Sequence, residues 1–360
     1  MAAALALPAV QSAHAESAPE HGTIAFKFLD YKDSQPGEDR IRVRAPSALL
    51  VLPLSGDWAV GGTLTSDAIS GASPAYHTTA ITPMHDKRKA LELNATRYFA
   101  NGSLTLGGSV SHESDYLARS LSLQGSLSDD SKNTTWTAGL ALSRDRINPG
   151  NRVVSNEHKR VTDLLLGVTQ VLGTHDIAQL NLGWSGGSGY FSDPYKAMDE
   201  RPRERRHTTL MARWNHHFDA SGGTLRSSYR HYTDSYGVTA HTLGFEYVQP
   251  LTQGWTVTPL LRLYTQTAAD FYVDADASTD PFPPNPPANW PYFTEDQRLS
   301  AFGARTLGLK VAKQIDANWN VDVKYERYSQ RASWTLDGRG SPGLAPFNAR
   351  SLQLGVSRQF

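Results

Sequence analysis

Polar and apolar residues alternate with period two through almost the whole chain, and no apolar run approaches the roughly 18–20 residues of a membrane-spanning helix. In Ser103–Ser111, Leu104, Leu106 and Val110 alternate with Ser103, Thr105 and Ser109. In Trp255–Leu263, Trp255, Val257, Leu261 and Leu263 alternate with Thr256, Thr258, Leu260 and Arg262. This is strand periodicity, and its recurrence in runs of about ten to fourteen residues closed by turns predicts a barrel. A chain so polar on average crosses a bilayer only as a closed barrel, in which every second residue faces an aqueous lumen. The expected fold is all-β, a transmembrane up-and-down antiparallel barrel of about sixteen strands. The runs centre near residues 26, 44, 61, 93, 107, 122, 139, 165, 181, 212, 229, 244, 260, 306, 324 and 354.

The connections sort into two kinds. Pro53–Asp57, Ala100–Gly102, Ser128–Asn133, Gly173-Thr174, Asp219–Gly222, Leu251–Gly254 and Ile315–Asn318 are tight and mostly carry hairpin residues. Between them lie mostly longer segments: Asp33–Glu38, Ser66–Asp86, Asn148–Glu157, Ser185–Arg205, Gln266–Gln297 and Ser329–Asn348. Short periplasmic turns and long external loops are the pattern of outer-membrane barrels. Trp58, Phe99, Trp136, Phe218, Trp255, Trp319 and Phe360 lie near tight turns or the C-terminus, as a periplasmic aromatic girdle would. Leu352, Leu354, Val356 and Phe360 share one face of the final strand, with Arg358 on the same parity. A terminal Phe on such a strand resembles the signal read by the barrel assembly machinery.

Residues 1–15 read as a signal-peptide remnant, with a small-x-small site at Ala13-His14-Ala15, and 16–360 as one barrel domain in the cell outer membrane. Cysteine is absent, which excludes disulfides, thiolate metal sites and Cys nucleophiles. Lys plus Arg equal Asp plus Glu at 35 each, and no basic domain stands out, so nucleic acid is not an expected partner. Outer-membrane lipid is.

Strand parity turns Lys27, Arg40, Arg42, Arg44, Arg213, Arg226, Arg230, Arg262, Lys310 and Lys324 into the lumen, with Glu92, Asp163, Glu246, Asp322 and Glu326. Such charges either set the selectivity of a porin-like channel or neutralise one another across a structural interior. Arg40, Arg42 and Arg44 form either an anion-binding rail or a ladder neutralised by acids on neighbouring strands. Asp274 and Asp276 could bind calcium, although their loop lacks the glycine and terminal Glu of an EF-hand. The alternative there is a solvated acidic loop, stiffened by prolines and partly folded into the barrel mouth. His207 and His217 take lumen parity, His216 and His231 outward parity; none repeats at metal-ligand spacing. Gly183-Trp184-Ser185-Gly186-Gly187 fits Gly-x-Ser-x-Gly only as a string within an alternating strand run, and no His-Glu-x-x-His motif is present, so neither an enzyme nor a cofactor is expected.

Several stretches resemble a family of uncharacterised proteobacterial outer-membrane β-barrels. They are Asp39–Val43 with Pro46, Asp67, Ser70-Gly71-Ala72-Ser73-Pro74, Tyr264–Tyr272, Asp296–Ser300 and the last strand. The resemblance implies the fold and the compartment but no activity. Through the gene neighbourhoods attributed to such proteins, it also implies an alternative role. The barrel would then be a shell holding a periplasmic lipoprotein or redox carrier in an envelope electron-transfer complex.

Overall fold

The computed structural model describes residues 17–54, 56–72, 83–196, 199–274, 288–336 and 338–360, without the side chains of 69–72 and 83–86. Residues 1–15, Ser73-Pro74 and Asp276 lie outside these. Eighteen strands form in chain order: β1 Thr23–Gln35, β2 Glu38–Pro53, β3 Trp58–Ala72, β4 Pro83–Phe99, β5 Gly102–His112, β6 Tyr116–Ser128, β7 Thr134–Ile147, β8 Glu157–Val171 and β9 Asp176–Gly189. They continue as β10 Asp199–Glu200, β11 Glu204–Phe218, β12 Gly223–Asp234, β13 Thr239–Pro250, β14 Trp255–Gln266, β15 Phe293–Thr294, β16 Phe302–Gln314, β17 Trp319–Arg331 and β18 Phe347–Gln359. All but β10 and β15 belong to one closed antiparallel barrel, each strand paired with its neighbours in sequence and β1 with β18. Every expected strand centre falls within one of these sixteen.

Burial in this molecule is inverted. Leu64, Leu93, Leu121, Leu166 and Leu307 are each more than half exposed, all on the outer face. Opposite them across the pleat stand small or polar residues such as Thr63, Ser122 and Thr306. The register carries this from strand to strand: Leu106 pairs with Leu123, Leu123 with Leu140, and Leu164 with Trp184. Directly paired residues share a face, so the outer wall is continuously apolar. Among the described residues no helix is long and apolar enough to cross a membrane; the strands supply the crossing.

The two ends differ. At the turn end stand Trp58, Phe99, Trp136, Phe218, Trp255, Trp319 and Phe360, all exposed on the outer face. Arg97 stacks over Trp58 and Phe99 at 5.7 and 5.1 Å, Lys313 over Trp255 at 5.2 Å, and Arg358 over Trp319 at 5.3 Å. Each cation thus covers a ring at the edge of the apolar band. At the loop end the ladders run further than hydropathy suggests: β1 and β2 are joined by Pro36-Gly37 alone, Gly37 taking a φ of +85°. Beyond the apolar band the outward positions turn polar, so alternation fades while the hydrogen-bonded ladder goes on.

Leu123, on the outer face of β6 and 45% exposed, sits in mid-band. Leu123→Arg should lower folding stability in lipid vesicles by about 2–4 kcal/mol, whereas Ser122→Arg, one residue earlier and facing the lumen, should cost little. Urea titration of vesicle-inserted protein checks both; equal losses would contradict this facing.

Candidate functional site

The lumen has two unlike walls. On β4 to β7 it is lined by small hydroxyl side chains bonded across the strands: Thr96 to Thr105 at 2.9 Å, Ser103 to Ser126 at 2.8 Å, Ser109 to Ser120 at 2.7 Å and Ser128 to Thr135 at 2.7 Å. On β11 to β14 it carries Arg213, Arg226, Arg230 and Arg262. All four point inward by register and are nonetheless solvent-exposed, so water reaches them inside the barrel. Arg230 donates to Thr242 Oγ1 at 3.2 Å and Arg213 to Gln179 Oε1 at 3.4 Å. Arg226 stands opposite Glu246 in the ladder. None of the four makes an ion pair within 4.0 Å among the described residues.

Several other inward charges are paired. Arg88 meets Asp67 at 2.7 Å, Lys159 meets Asp145 at 3.0 Å, Arg205 meets Asp234 at 2.5 Å and Lys324 meets Glu326 at 3.1 Å. Lys310 lies 4.0 Å from Asp322, beside inward-facing Lys27. Arg88, Lys159 and Arg205 belong to the lumen although hydropathy did not single them out. Their acidic partners Asp67, Asp145 and Asp234 do too, so the lumen is more evenly charged than parity suggested. Apart from Lys27 on β1, the basic side chains of the lumen without an ion pair among the described residues lie on one wall.

The expected Arg40–Arg42–Arg44 rail does not form, and a β-bulge sets Arg40 apart from the other two. Arg40 and Ile41 together oppose the single residue Asp33, which accepts from Ile41 N at 3.1 Å. Arg40 is buried, 4.0 Å from Asp33 and 5.2 Å over the Phe347 ring. The extra residue turns Arg40 inward at the loop end, whereas Arg42 and Arg44 continue the unbroken parity of outward-facing Leu50. Arg42 and Arg44 pair in register with Lys32 and Asp30 on the outer face, and both approach the Asp30 carboxylate. They are not lumen residues. His207 and His217 face inward and His216 and His231 outward, as expected. No cluster of His, Asp and Glu that could hold a metal ion occurs among the described residues. Asp274 is held by Gly343 N at 3.2 Å.

At the loop end a cover folds into the mouth from three connections: β9–β11, β14–β16 and β17–β18. The short β10 and β15 pair, bringing Asp199 opposite Thr294. Beside them Arg201 donates to Asp199 at 2.9 Å and to Asp296 at 2.7 Å. Arg298 binds both oxygens of Asp296, at 2.9 and 2.7 Å from its Nε, and reaches Asp193 at 2.7 Å. Asp296 also accepts from Arg298 N at 3.0 Å, closing the turn that begins there. Thr294, Asp296 and Ser300 are wholly buried. Burial alone would raise the Asp296 carboxyl, but the hydrogen bonds and charge of Arg298, with Arg201, outweigh it and hold it well below the usual carboxylate range. Burial dominates at Asp199 and raises it. Apolar packing seats the cover: Tyr236, Val238, Ala269, Phe271 and Leu299 form one cluster, and Leu344 packs on inward-facing Phe302 and Ala304 in another. Gln266, at the end of β14, donates to the carbonyls of Arg298 and Ser300 at 3.0 and 2.6 Å. The Tyr264–Tyr272 and Asp296–Ser300 stretches therefore meet here.

A closed sixteen-strand wall, apolar outside and hydrated inside, with a girdled turn end and a covered loop end, defines an outer-membrane β-barrel. Residues 75–158 and 150–351 match the family described as "Protein of unknown function (DUF3570)", and the chain belongs to that family. No curated protein sequence matches the chain. Among solved structures the fold is similar to a bacterial polysaccharide outer membrane secretin, 8% identical, covering 94% of this chain and 98% of that one at a TM-score of 0.54. Similarity also extends to OccK9 (OpdG) of Pseudomonas aeruginosa, 11% identical, covering 94% and 98% at 0.46. The siderophore receptor PirA of the same organism is 8% identical, covering 94% and 80% at 0.47. At such identities the likeness concerns the fold alone.

Asp296→Ala removes the buried carboxylate that Arg201 and Arg298 share and leaves each with one acidic partner, Asp199 and Asp193, a loss of about 1–3 kcal/mol. Amide exchange at Leu299 and Ser300 should then rise sharply while the barrel ladders stay protected. Because the folded carboxyl titrates below its unfolded value, its stabilisation is present above the unfolded value and lost as pH falls through the folded one. Protection of the same amides in the native chain should accordingly persist from pH 7 to about pH 4. Exchange that opens near pH 5 would contradict this.

Proposed function

We propose that the protein works in the cell outer membrane as a porin-like channel with a modestly basic lumen. The observation that carries this reading is the wall of Arg213, Arg226, Arg230 and Arg262, inward-facing, solvent-exposed and without ion-pair partners among the described residues. Sixteen strands enclose a lumen wider than inward side chains can fill. An arginine row facing a hydroxyl wall attracts small anions to one side while the other side offers neutral hydrogen-bonding groups. The cover narrows the mouth, and its ion-pair network keeps it rigid, so the aperture is set by fixed side chains. The same hydrated lumen speaks for a channel over a shell built around a periplasmic lipoprotein or redox carrier.

Purified, refolded barrel in planar bilayers should give discrete openings, with a reversal potential in a salt gradient on the anion-preferring side. Replacing all four arginines by Gln should lower the anion-to-cation permeability ratio severalfold and leave folding intact. Absence of openings from demonstrably folded protein would remove this reading, and an unchanged reversal potential would remove the role given to the arginines.

A further inference from the structure

The outer face carries a second basic feature that the channel reading does not use. Arg119 on β6, Arg144 on β7 and Arg160 on β8 are direct register partners, Arg119 with Arg144 and Arg144 with Arg160. All three are exposed. Arg144 also pairs in the rows that place Leu142, Leu140 and Trp136 on the same face, so the three point outward. The next register position toward the loop end adds Arg146 opposite His158, both exposed. Like charges directly opposite one another on adjacent strands repel, yet none of these arginines has an ion-pair partner within 4.0 Å among the described residues.

A second basic arc on the outer face makes the contrast. Arg42, Arg44 and Lys32 on β1 and β2 bring their own acids, Asp30 and Asp39. The β6–β8 arc brings none: its register row continues through Val110 on one side and Ser188 on the other.

Height selects the partner. From Trp136, in the aromatic girdle, to Arg144 the strand climbs eight residues, or about 20 Å along the membrane normal at the tilt of such barrels. Flexible arginine stems extend further upward. The guanidinium groups thus leave the apolar band, about 25 Å tall, where the headgroups of the outer leaflet begin. Guanidinium forks match phosphate oxygens bidentately.

We infer that Arg119, Arg144 and Arg160, with Arg146 above them, form a docking site for the headgroup phosphates of a phosphorylated glycolipid in the leaflet around the loop end. The lipid's acyl chains lie along Leu121, Leu142 and Leu164 below. Neither the site nor its test depends on whether the lumen conducts.

The test uses the full barrel refolded in detergent, with folding verified by heat-modifiable gel migration, and counts bound lipid by native mass spectrometry. The probes are bisphosphorylated lipid A and the same glycolipid with its phosphates removed. The expected result is retention of the bisphosphorylated form at least about tenfold above the dephosphorylated one, since each basic group near an anionic lipid surface strengthens binding severalfold. The triple variant Arg119→Gln, Arg144→Gln, Arg160→Gln should bring the two lipids to the same level. Equal retention of both lipids by the native chain would overturn the proposal, as would unchanged preference in the folded triple variant. If the triple variant does not fold, Arg144→Gln alone decides: a severalfold loss supports the site and no loss overturns it. Displacement of the lipid by millimolar inorganic phosphate would also overturn it, because a small-anion site would then explain the arginines.

Discussion

Hydrocarbon offers no partner to a backbone amide, and the rest of this structure depends on that constraint. Every peptide group in the band must find its partner in the wall itself, so the sheet has to close. Closure is made where β1 meets β18: Thr23 pairs with Gln359, and Gly22 and Phe360 exchange two backbone hydrogen bonds of 2.9 Å. Once the wall is a cylinder, period-two alternation has only one meaning. Each strand gives one face to lipid and one to water, and the interior becomes a surface rather than a core. The apolar packing that does exist is displaced to the loop end, where the cover seats itself around Tyr236, Leu299 and Phe302.

The same constraint decides how far the sequence can be read. Strand number, turn end and girdle were legible because leucines on one parity and Asn, Asp and Gly at tight turns recur locally in every hairpin. Lumen facing was legible wherever alternation ran unbroken, as from Arg226 to Arg230 and from Asp322 to Glu326. It failed at Arg42 and Arg44 because apolar Ile41, Val43 and Ala45 take the inward parity there, and the run Leu49–Leu52, apolar on both parities, hides the phase that puts the arginines on the side of Leu50. The cover was not legible at all as a set of contacts. Asp296 and Arg298 are close in sequence, but Asp193, Asp199 and Arg201 come from another connection, and only closure brings them together. The family resemblance pointed at the right stretches, Tyr264–Tyr272 and Asp296–Ser300, without saying that they touch.

The distribution of arginine across the wall follows the environments that closure creates. Inside, where water is confined, several basic side chains take partners such as Asp67, Asp145 and Asp234, and the arginines without one among the described residues gather on β11 to β14. Outside, at the turn end, Arg97 and Arg358 rest on tryptophans. At the loop end the outward arginines of β6 to β8 have neither ring nor acid among the described residues. One residue type therefore plays three parts, each set by what faces it: water, an aromatic ring or a lipid headgroup.

The latch at the mouth joins Arg201 to Asp296, residues 95 apart in the chain. Five barrel strands lie between or beside them, from β11 to β16. During biogenesis the first half of the wall can insert and pair hairpin by hairpin, because its contacts are with immediate neighbours. The gate cannot. Arg201 has Asp199 beside it, but its second counter-ion, Asp296, is in place only when the segment following β14 has folded back, and Leu344 belongs to a later connection still, just ahead of the closing strand. The aperture is therefore complete only when strands far apart in the chain stand together in the closed wall. Its shape is a property of the whole cylinder and of no single hairpin.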